Sequence, residues 1–276
     1  MRYDGYSDIL VEQDGFVLRI SHNRPTRRNA ESELLLAEMD DVLAQSAQDD
    51  SVRVLVIGGE GSHFSAGHDV HEGMAKRGDF DAAQTWTWEL EHYYGNAMRI
   101  WDHPKPTIAE VRGACIAGGF MVANSCDLLI ASEDAFFSDP VLHSLGVCGV
   151  EVLLHPWVMG LRKAKEFLYC GTRISAQDAL DLGIANQIVP TEVLRETTMS
   201  VAHHIAKAPP VSIRMMKRSL NRTADIMGYR SSVSAHFDTH VLAQTGPEAK
   251  AIAAQGMGAS IKRSKTTAAI SAVGDT

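Results

Sequence analysis

Apolar and polar positions alternate at the start of the chain and then change period. The segment "ILVEQDGFVLRI" contains two alternating runs around Asp14-Gly15, which predicts a β-hairpin. The segment "ESELLLAEMDDVLAQSA" has apolar residues at positions 35, 39, 42 and 43, the spacing of an amphipathic helix. The apolar run "VRVLVIGG" that follows predicts a buried strand ending in glycine.

The same alternation of strands and helices continues through the middle of the chain. The pattern is helical and rich in aromatic residues from Gly73 to Trp101. "PTIAEVRGACIAGG" predicts a strand, a turn and the entry to a helix, and "CDLLIAS" predicts a further strand. This order indicates an α/β fold with crossover connections. From about Thr191 the pattern is helical only, and the last dozen residues, small and polar, are expected to be disordered.

Composition excludes several classes of protein. The 276 residues are 45% hydrophobic and 22% charged, and the net charge of -8 argues against nucleic acid as a partner, since phosphate binding requires a dense basic face. No run of 18 apolar residues is present, so no membrane span is expected. The polar N-terminus is unlike a signal peptide, and four scattered cysteines suggest reduced core residues. We therefore expect a cytoplasmic protein.

Familiar glycine-rich motifs do not explain the glycines of this chain. A dinucleotide fingerprint fails because "GGEGSHF" has Phe64 where the third glycine is required. The Gly-Lys-Ser/Thr of a phosphate loop is absent, and so is the Gly-x-Ser-x-Gly of a nucleophile elbow.

Two strand-to-turn stretches remain, "HFSAGHD" and "IAGGF". Each places a small residue, Ala66 or Gly118, where a free backbone N–H could point into a cleft. Two such donors, one at a helix N-terminus, would form an oxyanion hole for a thioester or ester oxygen. The alternative is that both stretches are tight turns against packed helices.

Four motifs, in this order, resemble the crotonase (enoyl-CoA hydratase) superfamily. They are "NRPTRRNA", "HFSAGHDV", "GACIAGGFMVANSCDLLIAS" and "FFSDPVLHSLGV". The resemblance runs from the N-terminal hairpin to the "APPVSIRMMKRSLNR" segment and covers nearly the whole chain. Each motif is only moderately specific, whereas their number, order and spacing together are highly specific.

The resemblance implies a crotonase-type spiral of ββα units over residues 1–190. It also implies a C-terminal helical oligomerisation region over 191–262, a tail over 263–276, and homotrimers that often pair into hexamers. The implied substrate is an acyl-CoA thioester, with coenzyme A as part of the substrate and no separate cofactor or metal. The matching oxyanion donors are the N–H groups of Ala66 and Gly118. The residues implied to face coenzyme A are Arg24, Arg27, Arg28, Ala66, Gly67, His68, Asp69 and Gly118.

The acid groups of the family's hydratases are missing. Such enzymes use two glutamates to hold and deprotonate a water molecule, and the corresponding positions here are Met121 and Val141. Glu151 is our first candidate for a relocated acid/base, followed by His143 and Asp139, although a helix-terminal charge, a loop histidine and a turn residue are ordinary alternatives. The resemblance therefore implies poor hydration and leaves hydrolysis, isomerisation or C–C cleavage open.

Two other functions stay open. The same scaffold could bind CoA thioesters without turnover, or it could belong to a crotonase-fold hydrolase of diketones that does not use CoA. The acyl group is not specified either. The aromatic residues between positions 79 and 102 could shape a bulky pocket, but aromatics at helical spacing are more often core. The cluster of histidines and acids from His63 to Glu72 resembles a metal site, but the family requires none.

Overall fold

The computed structural model describes residues 3–256, 258, 259, 262 and 263. The strands are β1 (Ile9–Asp14), β2 (Val17–His22), β3 (Val54–Gly59), β4 (Thr107–Val111), β5 (Ala114–Ile116), β6 (Leu128–Ser132), β7 (Phe136–Ser138), β8 (Arg173–Ser175) and β9 (Gln187–Val189). The helices of the first two thirds are α1 (Glu33–Gln48), α2 (Val70–Arg77), α3 (Ala82–Glu89), α4 (Gly95–Trp101), α5 (Gly118–Ser125), α6 (Val141–Leu145), α7 (His155–Met159), α8 (Leu161–Cys170) and α9 (Ala176–Asp181). The last four are α10 (Leu194–Ala206), α11 (Pro210–Ile226), α12 (Tyr229–Gln244) and α13 (Pro247–Ala253).

Two sheets form the frame of the molecule. The larger has the strand order β1-β2-β3-β4-β6-β9, in which only the predicted hairpin of β1 and β2 is antiparallel. The smaller has the order β5-β7-β8. Along the chain, β4 of the large sheet leads to β5 of the small sheet and then to α5, and β6, β7 and α6 repeat this arrangement. Successive turns therefore stack as a spiral of ββα units, which confirms the predicted fold class.

Short strands were the part of this frame that periodicity missed. The segment after β4, predicted as a turn, contains the three-residue strand β5, which pairs with β7 from Ala114–Phe136 to Ile116–Ser138. Its residues are too few to show a period of two. The cysteine prediction was also wrong in part, because Cys115 and Cys126 are buried whereas Cys148 is half-buried and Cys170 is exposed.

The C-terminal third is helical, as predicted: from Thr191 onward the described residues contain helices and no strand. Its first helix, α10, packs Leu194, Ala202 and Ala206 on Val54 and Ile108 of the large sheet. Helix α12 packs on α3 and α4 through Phe237 and Val241. Both helices therefore bury apolar surface of the spiral itself. Residues 264–276 of the predicted tail lie outside the described residues.

None of the helices in the described part of the chain is long and apolar enough to cross a membrane.

Candidate active site

The two glycine turns meet in the structure. Ser65 forms an isolated parallel bridge with Cys115, and Ile116 donates its N–H to the Ser65 carbonyl at 2.9 Å. Gly67, at φ 84°, lies so close to the second turn that an added Cβ would be 2.8 Å from the Ile116 oxygen and 3.0 Å from the Gly118 nitrogen. Only glycine permits this approach, because both the positive φ and the missing side chain are required. Two segments about fifty residues apart thus form one site.

Gly118 is placed to donate its N–H to a ligand. It is the first residue of α5, where no preceding turn supplies an acceptor, and no hydrogen bond of its N–H is found among the described residues. Ala117 before it has φ 48° and ψ −114°, a strained conformation that residues with a Cβ rarely adopt. A hydrogen bond from the Ala117 N–H to the Ser138 carbonyl, at 2.9 Å, stabilises this strained conformation. The Gly118 N–H therefore has the free position that the predicted donor role requires.

The other predicted donor, Ala66, is wrong. Its N–H is already bonded to the Arg28 carbonyl at 2.9 Å. Further along the turn, His68 is paired with Glu31 in an isolated parallel bridge. The two hydrogen bonds of this bridge are made by its neighbours, since Glu31 donates its N–H to the Gly67 carbonyl and accepts from the Asp69 N–H, both at 2.9 Å. The N–H of His68 itself has no acceptor among the described residues, because such pairing uses alternate N–H groups of an extended segment, so the unpaired N–H of this turn lies two residues after Ala66.

The predicted CoA-facing residues divide into two groups. Arg24 is committed to internal ion pairs with Asp8 (3.2 Å) and Asp69 (3.0 Å), so its guanidinium is not available to a phosphate. Asp69 also caps α2 through the Glu72 N–H. Arg27 and Arg28 are exposed and make no ion pair among the described residues. The structure therefore leaves two of the three arginines for the phosphates of a ligand.

A cavity of about 260 Å³ extends from the turn that holds His68. Its walls include α2, α3, the segment from Val141 to Glu151, α12 and α13. Val141 lines this cavity and Met121 is buried against α12, so the two family glutamate positions carry side chains that cannot accept a proton. Any proton transfer in the cavity therefore requires groups other than the side chains at positions 121 and 141.

Glu151 is one such group. Its side chain lines the cavity, 2% of its surface is exposed, and it has no ion-pair partner among the described residues. Burial, together with the charge of Asp139, raises the pKa of this carboxyl well above its usual range. A carboxyl with a raised pKa keeps its proton to higher pH, and its position in the cavity leaves Glu151 as a candidate acid/base.

His143 and Asp139 do not line the cavity. The His143 ring directs Nε2 to the Tyr169 carbonyl at 2.9 Å. Asp139 follows β7 and is fully buried, with Oδ2 2.9 Å from Nε2 of the equally buried His155. Its second oxygen accepts the Val141 N–H at 3.3 Å. The structure thus gives Asp139 a supporting position behind Glu151, whose pKa its charge raises.

An ion pair that the sequence did not reveal lies beside Glu151. Glu89 of α3 and His240 of α12 are both buried cavity residues, and Oε2 and Nε2 are 2.6 Å apart. Although burial alone would lower the pKa of His240, its bonds to Cys148 and Glu89 and the charges of Glu89 and Glu151 raise it to about 10. His240 is therefore a cation at neutral pH. Gln244 donates to the other Glu89 oxygen at 2.8 Å.

Glu31 and His68 form a second hidden pair at the turn itself. The Glu31 carboxyl is 2% exposed and lies 3.4 Å from the His68 ring (Oε2 to Nε2). Burial raises the pKa of Glu31 to about 8, while burial and the nearby charges of His240 and Arg77 lower the pKa of His68 to about 3. Glu31 lies between Ala30 and the helix-capping Ser32, and no local pattern marks it as a site residue or as a neighbour of His68.

The aromatic segment is mostly core. Trp101 stacks on Tyr229, Trp86 and Tyr94 contact Phe237, and Trp88 lies under the Arg77 guanidinium at 3.6 Å. Of the aromatic residues from this segment, Tyr93 and Phe80 line the cavity. Most aromatic residues of this segment therefore belong to the core, which is the usual role of aromatics at helical spacing. Among the described residues, no three His, Cys, Asp or Glu side chains are grouped to hold a metal ion.

Comparison with known proteins identifies the family. The enoyl-CoA hydratase/isomerase family matches residues 12–264, and the chain belongs to this family. EchA13 of Mycobacterium tuberculosis, which bears an enoyl-CoA hydratase name, is 36% identical over 246 residues, which cover 83% of this chain and 77% of that protein. The hydroxycinnamoyl-CoA hydratase-lyase of Pseudomonas fluorescens is 30% identical over 239 residues, covering 81% and 82%. An enoyl-CoA hydratase/isomerase structure from Xanthobacter autotrophicus Py2 superposes with a TM-score of 0.88 at 33% identity, covering 95% and 98%.

Gly118→Ala is expected to damage the site. The added Cβ would be 2.6 Å from the His68 ring and 2.7 Å from the Glu31 oxygen, so the ring has to move out of its place beside the donor. We expect the free energy of unfolding to fall by about 1–3 kcal/mol, the usual cost of overpacking, and binding of acetyl-CoA to weaken. Denaturant unfolding and calorimetry measure the two effects. Gly246→Ala is the control, since Gly246 has φ −71° and its Cβ would meet nothing closer than 3.1 Å. Tight acetyl-CoA binding by Gly118→Ala would contradict this geometry.

The buried Glu31 carboxyl is expected to make stability depend on pH. Its pKa is raised from 4.5 to about 8 on folding, so the folded protein binds this proton more tightly than the unfolded chain. The resulting stabilisation is complete below pH 4.5 and is lost as pH rises towards 8, by at most about 1.4 kcal/mol per pH unit. Glu31→Gln should remove this component. Urea unfolding at several pH values measures it, and equal slopes for the two proteins would show that Glu31 is not the source.

Proposed function

We propose that this protein is an acyl-CoA enzyme of the enoyl-CoA hydratase/isomerase family that transfers protons at the acyl chain through a thioester enolate. The observation that supports this most directly is a pair of N–H groups, those of Gly118 and His68, which lie on two turns in close contact and have no acceptor among the described residues. His68 also lines the cavity that contains the buried acids Glu89 and Glu151. Fixed donors of this kind stabilise charge on a thioester oxygen, each by about 2.7–4 kcal/mol in the transition state.

Glu151 acts in this proposal as the group that takes a proton from the acyl chain. Its carboxyl lines the cavity, whereas the side chains at positions 121 and 141 cannot titrate. Because burial and the charge of Asp139 keep its pKa high, only the ionised fraction is active, and the rate is expected to rise with pH until the carboxyl is fully ionised. Reactions that start by removing a proton, such as double-bond isomerisation or C–C cleavage, suit this arrangement. Hydration of crotonyl-CoA is expected to be slow, because the two family positions that hold the water lack carboxylates.

Glu151→Gln tests the role of Glu151. The substitution keeps the size of the side chain and removes its titration, so kcat should fall about 10²–10⁴-fold on whichever CoA ester the unmodified protein converts. Active esters are found by incubating a panel of acyl-CoA thioesters and analysing the products by mass spectrometry. Glu166→Gln on the exposed surface of α8 is the matched control. An unchanged kcat would place the base elsewhere, and CoA-ester binding without any turnover would favour a binding protein on the same scaffold.

Assembly into a trimer or a hexamer is part of the proposal. Helix α11 carries an apolar face that is uncovered in the single chain, and each of these side chains is more than half exposed: Val211, Met215, Met216 and Leu220. Ile226 and Met227 continue the face at its end. Exposed apolar patches of this kind usually mark a protein interface. Lys217, in contrast, turns inward to Asp127 at 2.8 Å and is not available to a neighbouring subunit's ligand.

Substitution of the α11 face is expected to dissociate the oligomer. Met216→Asp together with Leu220→Asp places two charges on the apolar face, where burying them in an interface is costly. Light scattering should show a trimer or hexamer for the unmodified protein and a smaller species for the double variant. Leu10→Asp, on the partly exposed strand β1, serves as control and should leave the mass unchanged. A monomeric unmodified protein at micromolar concentration would refute the assembly.

A further inference from the structure

One oxygen of the buried Glu31 carboxyl is an exception to the rule that buried polar atoms are hydrogen-bonded. Oε1 accepts a hydrogen bond from Ser65 Oγ at 3.1 Å. Oε2 is buried and has no hydrogen-bond partner in the part of the chain that the structure describes. Unsatisfied buried polar atoms are uncommon and costly, and they concentrate where a protein has a use for them. The atoms closest to this oxygen belong to the site: it is 3.4 Å from His68 Nε2 and would be 2.7 Å from a Cβ on Gly118.

His68 connects this buried oxygen to the cavity. Its ring lines the cavity and stacks on Tyr93 with the ring centres 3.4 Å apart and the planes 3° from parallel. The stacking fixes the ring, and neither ring nitrogen has a hydrogen-bond partner among the described residues apart from the approach to Glu31. The backbone N–H of the same residue is one of the two proposed oxyanion donors. A thioester oxygen bound to this backbone N–H would therefore lie close to the imidazole of the same residue.

The surroundings determine where the pair holds its proton. Arg77, which donates to the Tyr93 hydroxyl at 3.1 Å, and the cationic His240 both disfavour a charge on His68. Ser65 of the first turn and Cys115 of β5 also face Glu31, and neither supplies a cation. Burial favours a neutral Glu31. At neutral pH the pair thus consists of an uncharged imidazole and a protonated carboxyl.

We propose that His68, supported by Glu31, is a second proton-transfer group of this site, which returns a proton to the acyl carbon next to the thioester. In the forward step a ring N–H of His68 gives its proton to the enolate carbon, and the other ring nitrogen takes the proton of Glu31. One C–H bond forms, one carboxyl O–H bond breaks, and Glu31 is left as a carboxylate. The reverse transfer restores the acid. His68 is the catalytic residue and Glu31 is its positioning and proton-storing partner.

This inference rests on the proposed function and deepens it. Glu151 supplies one proton-transfer group, and a reaction that removes a proton at one point and adds one at another benefits from a second. The pair lies on the turn after β3 and on the start of α1, so it is independent of the positions occupied by Met121 and Val141. It would account for a family member that keeps its oxyanion donors while lacking both of the family's glutamates.

Hydrogen–deuterium exchange into the acyl chain tests the proposal. The protein is incubated with butyryl-CoA in D₂O, and mass spectrometry measures deuterium at the carbon next to the thioester. Glu31→Gln and His68→Phe, which keeps a ring on Tyr93, are each expected to lower the exchange rate about 100-fold, the usual contribution of general acid–base catalysis. Calorimetry should show butyryl-CoA affinity within about threefold of the unmodified protein, because the backbone donors remain. His203→Asn, which breaks a surface pair with Asp14 at 3.0 Å, is the matched control and should exchange normally.

The pH profile distinguishes proton transfer from a structural role. The exchange rate of the unmodified protein should fall above about pH 8, where Glu31 loses its proton, and Glu31→Gln should lack this fall. Normal exchange by His68→Phe, or an unchanged alkaline limb in Glu31→Gln, would overturn the inference. If Glu31→Gln does not fold, the His68→Phe rate decides alone. Loss of exchange only in Glu151→Gln would reject this pair and leave the proposed function intact, whereas no exchange and no CoA-ester binding by the unmodified protein would reject both.

Discussion

The close approach of two backbone turns is the constraint on which the site depends. Gly67 and Gly118 lie together because neither has a side chain, and the bridge from Ser65 to Cys115 holds the turns at this distance. The spiral brings these turns together, since the repeats β4-β5-α5 and β6-β7-α6 each place one strand in each sheet and return through a helix. The N-terminus of α5 and the end of the β3 turn are consequently side by side, and the N–H groups of Gly118 and His68 are left over when the local bonding is complete.

The protonation of the site depends on the partners of its three buried glutamates. Glu31, Glu89 and Glu151 are each nearly inaccessible to water, but they meet different partners. Glu89 has a histidine cation and an amide, so it forms an ion pair. Burial raises the pKa of both Glu151 and Glu31; the charge of Asp139 adds to the rise at Glu151, whereas the hydrogen bond from the Ser65 hydroxyl opposes it at Glu31. Environment, rather than residue type, thus separates one ion-paired glutamate from two whose pKa is raised.

Helix α12 connects the C-terminal region to the chemistry. His240 and Gln244 reach Glu89 from this helix, while Phe237 contacts Trp86 of α3 and Tyr229 stacks on Trp101 of α4. The region that the sequence suggested as an oligomerisation element thus also completes the cavity. The apolar face of α11, in contrast, remains uncovered in the single chain.

The sequence by itself determined the fold class, the N-terminal hairpin, the helical C-terminal third and the donor at Gly118, because periodicity and the family motifs are local properties of the chain. It also determined that Met121 and Val141 cannot transfer protons. Short strands such as β5 could not be predicted from the sequence, because three residues are too few to show a period of two. The second donor was placed at Ala66 rather than His68, because which N–H is free depends on a bridge to Glu31, a residue more than thirty positions away. The pairs Glu31–His68 and Glu89–His240 join segments distant in the chain, and their pKa values come from burial and neighbours that only the tertiary structure brings together.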